Sequence, residues 1–285
     1  MWTLAMRNLL MYFRDKVGVF FSLLSMLLVI ALFILFLGDF FTPDYGGNTA
    51  EVTEVMNNWI FAGILAVTTV TTTKGAYVVM INDKVSHVYK DFYSTPVKRY
   101  KVVAGYALGA FFVGTIMSMI VFIVLTVYNG VMGNHVMSAL NMLKTTGILI
   151  LSVLLNAFMI FFFATFVRTN QAFGAMSTIL GTLIGFMMGI YVPMGYLPPP
   201  IQTVIRFFPQ SHTVLLFRQR FIDGIAEHAF SHIPAEYLQE FQESMGVIYV
   251  INGYQLTDMH SVIILVSVTL CFFGLSIWRA SKKYM

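Results

Sequence analysis

The sequence predicts an all-α integral membrane protein with six transmembrane helices. Only 11% of its 285 residues are charged and 58% are hydrophobic, whereas soluble domains carry about a quarter charged residues. A helix needs about 20 mostly apolar residues to cross a bilayer. Windows of about this length or longer without a charged residue lie at 17–38, 55–73, 102–143, 145–167, 169–205 and 259–278.

Turn signals set the number of spans. The segment 129–134, which holds two asparagines and two glycines, divides the long window, and the prolines at 198–200 close the fifth one. The first apolar run is too long for a signal peptide, and no small-residue cleavage site follows it. The predicted transmembrane helices are 17–38, 56–80, 102–128, 145–167, 172–194 and 259–278.

The few charges are sorted between the two sides of the predicted bundle. With six spans both termini lie on one side, where twelve of the seventeen basic residues fall: Arg7, Arg14, Lys16, Lys84, Lys90, Lys98, Arg99, Lys101, Arg168, Arg279, Lys282 and Lys283. Ten of the thirteen acidic residues fall on the other side, the exceptions being Asp15, Asp83 and Asp91. Because cytoplasmic loops carry the excess of Lys and Arg, the termini are predicted to be cytoplasmic. The net charge of +4 is therefore no reason to expect a nucleic-acid partner.

Two segments outside the spans are predicted to be short helices. Residues 2–16 gather Thr3, Arg7 and Arg14 on a narrow polar stripe, so this segment is expected to lie as an amphipathic helix in the membrane interface. In the loop after the second span, apolar residues recur at helical spacing and predict a helix over 85–97. These residues are Val85, Val88, Tyr89, Phe92 and Tyr93. Such an aromatic stripe needs headgroups or another protein to cover it.

The long segment 195–258 is predicted to lie outside and partly to re-enter the membrane. Its parts 201–208 and 214–225 are strongly apolar with arginines interspersed, which favours short helices that dip back into the outer leaflet. Irregular backbone at membrane depth is tolerated where protein buries it or water lines it. The remaining stretch, 226–255, is predicted to be polar and exposed.

The patterns needed for catalysis or metal binding are missing from the sequence. It has no GxxxxGK[ST] phosphate loop and no GxGxxG motif, so the chain is not expected to hydrolyse nucleotides. His228 and His232 are spaced like zinc ligands, but Glu227 lies beside them and not between them. Ser211 and His212 are adjacent, so their side chains diverge on a helix. No catalytic residue and no metal site are predicted.

Ionisable residues are nearly missing from the predicted spans. This argues against an ion-coupled carrier, which needs a buried carboxylate or histidine. Lys74, near the end of the second span, is expected to extend its amine to the cytoplasmic headgroups. The single cysteine, Cys271, excludes an intrachain disulfide.

The spans instead carry uncharged polarity. The second span is rich in threonine between residues 68 and 73, and the fifth has Ser177, Gly181, Gly185 and Gly189 at four-residue spacing. Small residues at this spacing let helix backbones approach closely, and the neighbour is either another span or the same helix of a second copy. Threonine hydroxyls bond their own helix backbone as often as a substrate. Together these residues predict a mildly polar path.

Three segments, in their order along the chain, resemble those of a known family. They are MRNLLMYFRD in the N-terminal helix, STPVKRYKVVAGY after the second span, and GYLPPPIQTVIRFFPQSHTVLLFRQRFIDG before the last span. With six spans and both termini inside, the chain resembles the membrane subunit of ABC-2 type transporters, the permease of type V ATP-binding cassette exporters. The resemblance covers essentially the whole chain. Lys16 departs from the pattern, since a proline often follows the Arg-Asp pair.

The resemblance implies a connecting helix at 2–16 and, at 85–97, a coupling helix that docks into a groove on a separate ATPase subunit. ATP and Mg²⁺ would bind to that ATPase, and this chain would hold no cofactor of its own. The residues implied in ATPase coupling are His87, Asp91, Phe92, Tyr93, Ser94 and Pro96. The aromatic stripe of the loop and the missing phosphate loop both fit this arrangement.

The family works as two permeases with two ATPases, so the resemblance implies a homodimer or a heterodimer in the lipid membrane. The second and fifth spans of each copy would face a central path. The residues implied at the path or dimer interface are Thr68, Thr69, Thr72, Ser177, Gly181 and Gly185. The segment 198–224 would form an outer re-entrant gate, whose candidate residues are Pro198, Pro199, Pro209 and Arg218.

The sequence therefore predicts the permease subunit of an exporter, not itself an enzyme, in the plasma membrane of a bacterium. Uncharged spans rich in Met and Phe favour a hydrophobic or amphipathic cargo, and a drug, a peptide and a lipid-like molecule fit equally well. The alternative is a membrane sensor or immunity-type protein that binds its ligand through the outer region 226–255 without transporting it.

Overall fold

The computed structural model describes residues 1–32, 49–94, 99–231, 234–251 and 253–281, and most of these are helical. The α-helices are α1 (Trp2–Arg14), α2 (Lys16–Leu32), α3 (Thr49–Val85), α4 (Val88–Ser94), α5 (Arg99–Val131), α6 (Ala139–Ala164), α7 (Asn170–Met187), α8 (Pro199–Phe207), α9 (Pro209–Phe221), α10 (Ile225–Ala229), α11 (Ala235–Ser244) and α12 (Asp258–Ser281). A 3₁₀ turn covers Met194–Tyr196, and an antiparallel hairpin of β1 (Val250–Ile251) and β2 (Tyr254–Gln255) precedes α12.

Four helices of the described part are long and apolar enough to cross a membrane: α3, α5, α6 and α12. They correspond to the second, third, fourth and sixth predicted spans. The fifth predicted span, 172–194, contains α7 but ends earlier, at Met187, because Gly189 adopts φ +61° and a left-handed glycine ends a helix. The first, 17–38, contains α2 as far as Leu32, and its remainder lies outside the described residues. The count of six spans and their orientation stay predictions.

Helix α3 is the central element of the bundle. It packs against α2, α5, α6, α7 and α9. With 37 residues it is about 55 Å long, and it extends beyond the predicted span 56–80 at both ends. The additional turns hold Glu51 and Glu54 at one end and Asp83 and Lys84 at the other. Hydropathy excludes such residues from a span, so only the apolar middle of this helix could be predicted.

Hydrogen bonds between helices define the two ends of the bundle. At one end, here named the α1 end, Lys84 Nζ donates to the Ala164 carbonyl at 3.1 Å and joins α3 to α6. Helices α1 and α4 lie at this end and contact α3 there. At the other end, the α9 end, Asn129 Nδ2 donates to Asn58 Oδ1 at 2.8 Å and joins α5 to α3.

Helix α1 lies very close to α5 because a glycine stands at their contact. The helix predicted over 2–16 covers Trp2–Arg14. A Cβ atom added at Gly109 of α5 would lie 2.9 Å from Asn8 Cβ and 3.4 Å from the carbonyl oxygen of Ala5. Small residues allow such an approach of two helix backbones, so glycine at this position sets how near α1 can lie.

The segment 226–255, predicted to be polar and exposed, is in part buried against the bundle. Phe230 and Phe241 are buried, with their ring centroids 4.8 Å apart. Trp59 of α3 donates its Nε1–H to the Met245 carbonyl at 2.8 Å. Apolar residues spaced between the glutamates of α11 give this helix one apolar face, so the segment folds back on the bundle. Glu227, His228, Glu236 and Glu240 are exposed, so the polar, exposed stretch of the prediction is present in part of the segment only.

The glycine contact between α1 and α5 predicts that Gly109→Ala lowers the free energy of unfolding by about 2 kcal/mol, because Asn8 Cβ cannot move without its backbone. The matched control is Gly147→Ala on α6, where an added Cβ meets nothing within 4 Å. Alanine favours a helix over glycine by roughly 1 kcal/mol, so the control should be neutral or stabilising. Thermal unfolding in detergent measures both variants. Equal shifts would contradict the close contact.

Candidate functional site

A short connector joins α3 to α4 at the α1 end. Only Ser86 and His87 separate the two helices. His87 adopts φ +60°, a conformation that non-glycine residues rarely take, and its N–H donates to the Lys84 carbonyl at 3.3 Å. The helix predicted over 85–97 covers Val88–Ser94 in the structure, because Val85 still belongs to α3. Residues 95–98 lie outside the described part of the chain.

Five of the six predicted ATPase-coupling residues lie in this connector or on α4. His87 is exposed in the turn, and Asp91 and Ser94 are exposed on α4. The Ser94 hydroxyl donates to the Asp91 carbonyl at 2.8 Å. Phe92 and Tyr93 are residues of α4, and Pro96 is not among the described residues. Their role in coupling stays a prediction.

A buried carboxylate next to the connector ties three helices together. Asp83, two residues before the end of α3, is 3% exposed. Arg7 of α1 donates Nη1–H to Oδ2 at 2.7 Å and Nη2–H to Oδ1 at 2.8 Å. The Tyr106 hydroxyl of α5 donates to Oδ2 at 2.6 Å. We name these three residues the Asp83 network.

The Asp83 network has the geometry of a strong ion pair. Two parallel N–H bonds from a guanidinium to a carboxylate are shorter and stronger than neutral hydrogen bonds. The hydrogen bond to Asp83 raises the pKa of Arg7, so the guanidinium stays a cation. Sequence reasoning missed this network and recorded Asp83 only as an acidic residue on the basic side. The position of this acid among basic residues was the available sign of an ion pair.

The threonines predicted for the path lie in the interior of the chain. Thr68 and Thr72 donate to the carbonyls of their own helix, four residues earlier, at 2.8 and 2.7 Å. Thr69 Oγ1 lies 3.0 Å from Ser152 Oγ and accepts from Asn156 Nδ2 at 3.1 Å, so it faces α6. All three threonines are almost fully buried. Within the single chain they therefore face other helices, and their role at a path or dimer interface stays a prediction.

The surface that α3 and α7 share carries other residues. Ser177 and Gly181 are half-buried there, whereas Gly185 is buried against the Tyr191 ring of the same chain. Lys74 Nζ donates to the Ser177 carbonyl at 3.1 Å. The Lys74 amine therefore contacts α7, whereas the sequence predicted only that it extends to the headgroups. Beside these residues the surface exposes or half-exposes Thr71, Val78, Thr178 and Thr182.

Together Thr71, Lys74, Val78, Ser177, Thr178, Gly181 and Thr182 are named the α3–α7 face. The face lies on the surface of the single chain. It combines one lysine with small and hydroxyl-bearing side chains, and a second molecule can reach it.

Prolines begin both helices of the predicted outer gate. Pro198 is the N-cap of α8, with Pro199 as its first residue, and Pro209 is the first residue of α9. Proline is well suited to the first turn because it lacks the N–H that would have no partner there. Helix α8 is largely exposed, whereas α9 is buried along most of its length.

Arg218 of α9 is a fully buried cation held by carbonyls and a ring. It is 1% exposed. Its Nη1–H donates to the Met245 carbonyl at 2.9 Å and its Nη2–H to the Gly189 carbonyl at 2.8 Å. The guanidinium carbon lies 4.1 Å from the centroid of the Trp59 ring. We name these four residues the Arg218 clamp, since they join α3, α9 and the segments after α7 and α11.

No carboxylate forms an ion pair with Arg218 within the described ranges. Gly246, with φ +66°, makes room for the guanidinium, because an added Cβ would lie 2.9 Å from Nη1. A cation over the face of a tryptophan is stabilised by about 2 kcal/mol when water is excluded. The carbonyls and the ring thus replace the counter-ion.

The adjacent Ser211 and His212 do not form a catalytic pair. The Ser211 hydroxyl donates to the Ile205 carbonyl at 2.6 Å. His212 is buried, with Nδ1 3.1 Å from Ser261 Oγ and Nε2 2.9 Å from the Arg206 carbonyl. The two side chains therefore have separate partners, as expected for neighbours on a helix.

The histidine pair that resembled zinc ligands is only partly placed. His228 Nδ1 lies 3.4 Å from Glu51 Oε2 of α3, and His232 lies outside the described residues. Among the residues that are described, no group of three His, Cys, Asp or Glu side chains has the arrangement of a metal site.

Comparison with family models decides the family. Residues 48–278 match the model described as ABC-2 family transporter protein. The chain belongs to the ABC-2 transporter family. The match begins just before α3 and ends within α12, so it includes Asp83, Tyr106 and the whole Arg218 clamp. A search of curated proteins finds no match.

Membership of the ABC-2 family places the chain among the membrane components of transporters. These components are not themselves catalytic, and they generally work with an ATPase subunit. With several apolar helices, this ABC-2 chain is a multi-pass membrane protein.

Replacing Arg7 in this ABC-2 protein by Gln should lower the free energy of unfolding by about 2 kcal/mol, because a buried carboxylate keeps only Tyr106 as a donor. Arg14→Gln, at an exposed position in the last turn of α1, is the control and should cost about 0.5 kcal/mol or less. Adding Asp83→Asn to Arg7→Gln should recover part of the loss. Thermal unfolding in detergent gives all three values. A loss no larger than that of Arg14→Gln would contradict a stabilising role of the Asp83 network.

Arg218→Lys should loosen the α9 end, because one ammonium cannot bond two carbonyls and stack on a ring as a guanidinium does. We expect a loss of about 3 kcal/mol and faster proteolysis within α10 and α11. Arg206→Lys is the matched control, since Arg206 pairs with partly exposed Glu243 at 3.3 Å and such pairs contribute about 1 kcal/mol or less. Limited proteolysis in detergent compares the two. Equal cleavage rates would speak against the clamp.

Proposed function

We propose that this chain is the permease subunit of an ATP-binding cassette exporter. Two copies of the permease work with two copies of a separate cytosolic ATPase and move an amphipathic cargo outward across the plasma membrane. The ATPase binds ATP and Mg²⁺, since this sequence has no phosphate loop of its own. The family match supports a transport component, and the geometry of the α1 end supports the way in which the ATPase acts.

The observation that carries the proposal is the position of α4 beside the Asp83 network. The connector between α3 and α4 is two residues long, so α4 cannot move far without α3. Asp83 lies four residues before His87 and bonds Arg7 of α1 and Tyr106 of α5. A force on α4 is therefore passed to three helices at once.

Helix α3 carries such a displacement to the α9 end. It is continuous over Thr49–Val85, and a continuous helix transmits motion along its axis because its backbone hydrogen bonds resist bending. Trp59, near its other end, belongs to the Arg218 clamp. The permease opens at the α9 end when the ATPases draw the two α4 helices together, and the α3–α7 faces of the two copies line the path.

The sensor alternative relied on an exposed outer region. Phe241 and Met245 are buried, and Met245 receives hydrogen bonds from both Trp59 and Arg218. The apolar side of this segment is thus covered by the bundle, its polar side with Glu236 and Glu240 stays exposed, and the family match is to a transporter. We therefore favour the exporter.

The double variant Phe92→Ala/Tyr93→Ala should abolish co-purification with the ATPase subunit of the proposed exporter. Two aromatic residues at the centre of a docking interface commonly contribute about 2 kcal/mol each or more, so the loss should exceed about a hundredfold in affinity. Phe207→Ala/Tyr196→Ala removes the same two kinds of ring from exposed positions at the α9 end and should retain the ATPase. Affinity pull-down from membranes gives the comparison.

The proposal fails if the Phe92/Tyr93 variant still retains the ATPase at the wild-type level and drives ATP-dependent efflux. It also fails if the Phe207/Tyr196 variant loses the ATPase while remaining monodisperse, because docking would then lie at the α9 end.

A further inference from the structure

Lys74 carries a cation on the surface of the bundle at some depth along two helices. Its Nζ donates to the Ser177 carbonyl at 3.1 Å. Ser177 comes seven residues after Asn170, the first residue of α7, so the ammonium lies roughly 10 Å along that helix. A lysine that only avoids lipid extends its amine to the headgroups, whereas this amine contacts the backbone of a neighbouring helix. Ionisable residues at membrane depth commonly mark a substrate pathway.

The contact with Ser177 occupies only part of the hydrogen-bonding capacity of the Lys74 ammonium. It has three N–H donors, and the Ser177 carbonyl accepts from one of them. Across the described residues no carboxylate forms an ion pair with Lys74. The cation thus differs from Arg7, which a carboxylate of the same chain neutralises.

Gly181 leaves one side of this ammonium uncovered. A Cβ added at Gly181 would lie 3.6 Å from Lys74 Nζ, so a larger side chain at this position would lie over the cation. Both residues are half-exposed on the single chain. A ligand on the α3–α7 face can therefore approach the ammonium.

The rest of the α3–α7 face is uncharged. Thr71 and Thr178 donate their hydroxyls to carbonyls of their own helices, which leaves largely apolar surface. Val78 is an exposed apolar side chain of the face. One cation within such a surface is complementary to a molecule with one anionic group and an apolar body.

We propose that Lys74 binds the anionic head, a phosphate or a carboxylate, of an amphipathic cargo whose apolar part lies along the α3–α7 face. This assignment rests on the proposed function, in which that face lines the path. A charge-assisted hydrogen bond to such a head is about twice as strong as a neutral one. Lys74 thereby selects anionic amphiphiles over neutral ones of the same length.

The test is a binding measurement on the purified full chain in phosphatidylcholine nanodiscs. The probe is a fluorescent dodecyl phosphate, and its uncharged counterpart is the same fluorophore on dodecanol. Fluorescence anisotropy, corrected with empty nanodiscs, should show about tenfold tighter binding of the phosphate probe. Inorganic phosphate should compete poorly, because it lacks the apolar part. Competition at equal strength by inorganic phosphate would overturn an amphipathic ligand.

Lys74→Gln should bring the ratio of the two probes to about one, and Lys74→Arg should keep it above about threefold. Lys144→Gln, at an exposed lysine of α6, is the control and should leave the ratio unchanged. Gly181→Leu keeps the lysine but covers it, and should also remove the preference, whereas Gly174→Leu, where an added Cβ meets nothing within 4 Å, should not. If Lys74→Gln does not fold, Gly181→Leu decides. An unchanged ratio in a folded Lys74→Gln or Gly181→Leu protein overturns the proposal, as does a wild type without preference.

The outcome is separable from that of the proposed function. The binding measurement contains no ATPase and requires no transport. If Lys74→Gln abolishes the preference while the Phe92/Tyr93 variant retains its ATPase, the anionic site stands and the coupling proposal fails. If the preference is missing while ATPase docking depends on α4, the permease proposal stands and the anionic site is overturned.

Discussion

The buried carboxylate of Asp83 is the constraint on which the α1 end depends. A buried charge is tolerated only where donors of the same protein replace water, and here the donors come from two other helices through Arg7 and Tyr106. Helix α1 therefore cannot leave the bundle without exposing an uncompensated charge. Close packing on Gly109 adds a steric requirement at the same place. Both features make α1 a part of the transport bundle and not merely an anchor in the interface.

Helix α3 connects this constraint with the opposite end of the molecule. Trp59 and Asp83 are 24 positions apart on one helix, which corresponds to about 36 Å. At the far end the buried charge is the cation of Arg218. Two backbone carbonyls and the Trp59 ring stabilise it in place of a counter-ion. A helix anchored by a buried charge at each end moves as one piece. In the mechanism that we propose, this connection is the route by which a subunit acting at α4 changes the α9 end.

The type and order of the elements could be predicted from the sequence because hydropathy and turn residues act locally. The length of the apolar windows alone predicts α5, α6, α12 and the middle of α3. The prolines at 199 and 209 begin helices, as expected for a residue without an N–H. The partners could not be predicted, because Arg7 and Asp83 are 76 positions apart and the acceptors of Arg218 are backbone carbonyls without a side-chain signature. The sequence also did not reveal towards which neighbouring helix each threonine of α3 points. Helix α3 is buried on nearly all sides, so its periodicity does not distinguish path from interior.

Site-specific photocross-linking tests most directly whether an ATPase engages the chain at α4. A benzophenone side chain at position 92 or, as the opposite-end control, at position 207 is illuminated in membranes that also contain the proposed ATPase subunit. We expect a cross-linked product of permease and ATPase from position 92 and none from position 207. A product from position 207, or none from position 92 with both proteins present, would contradict it.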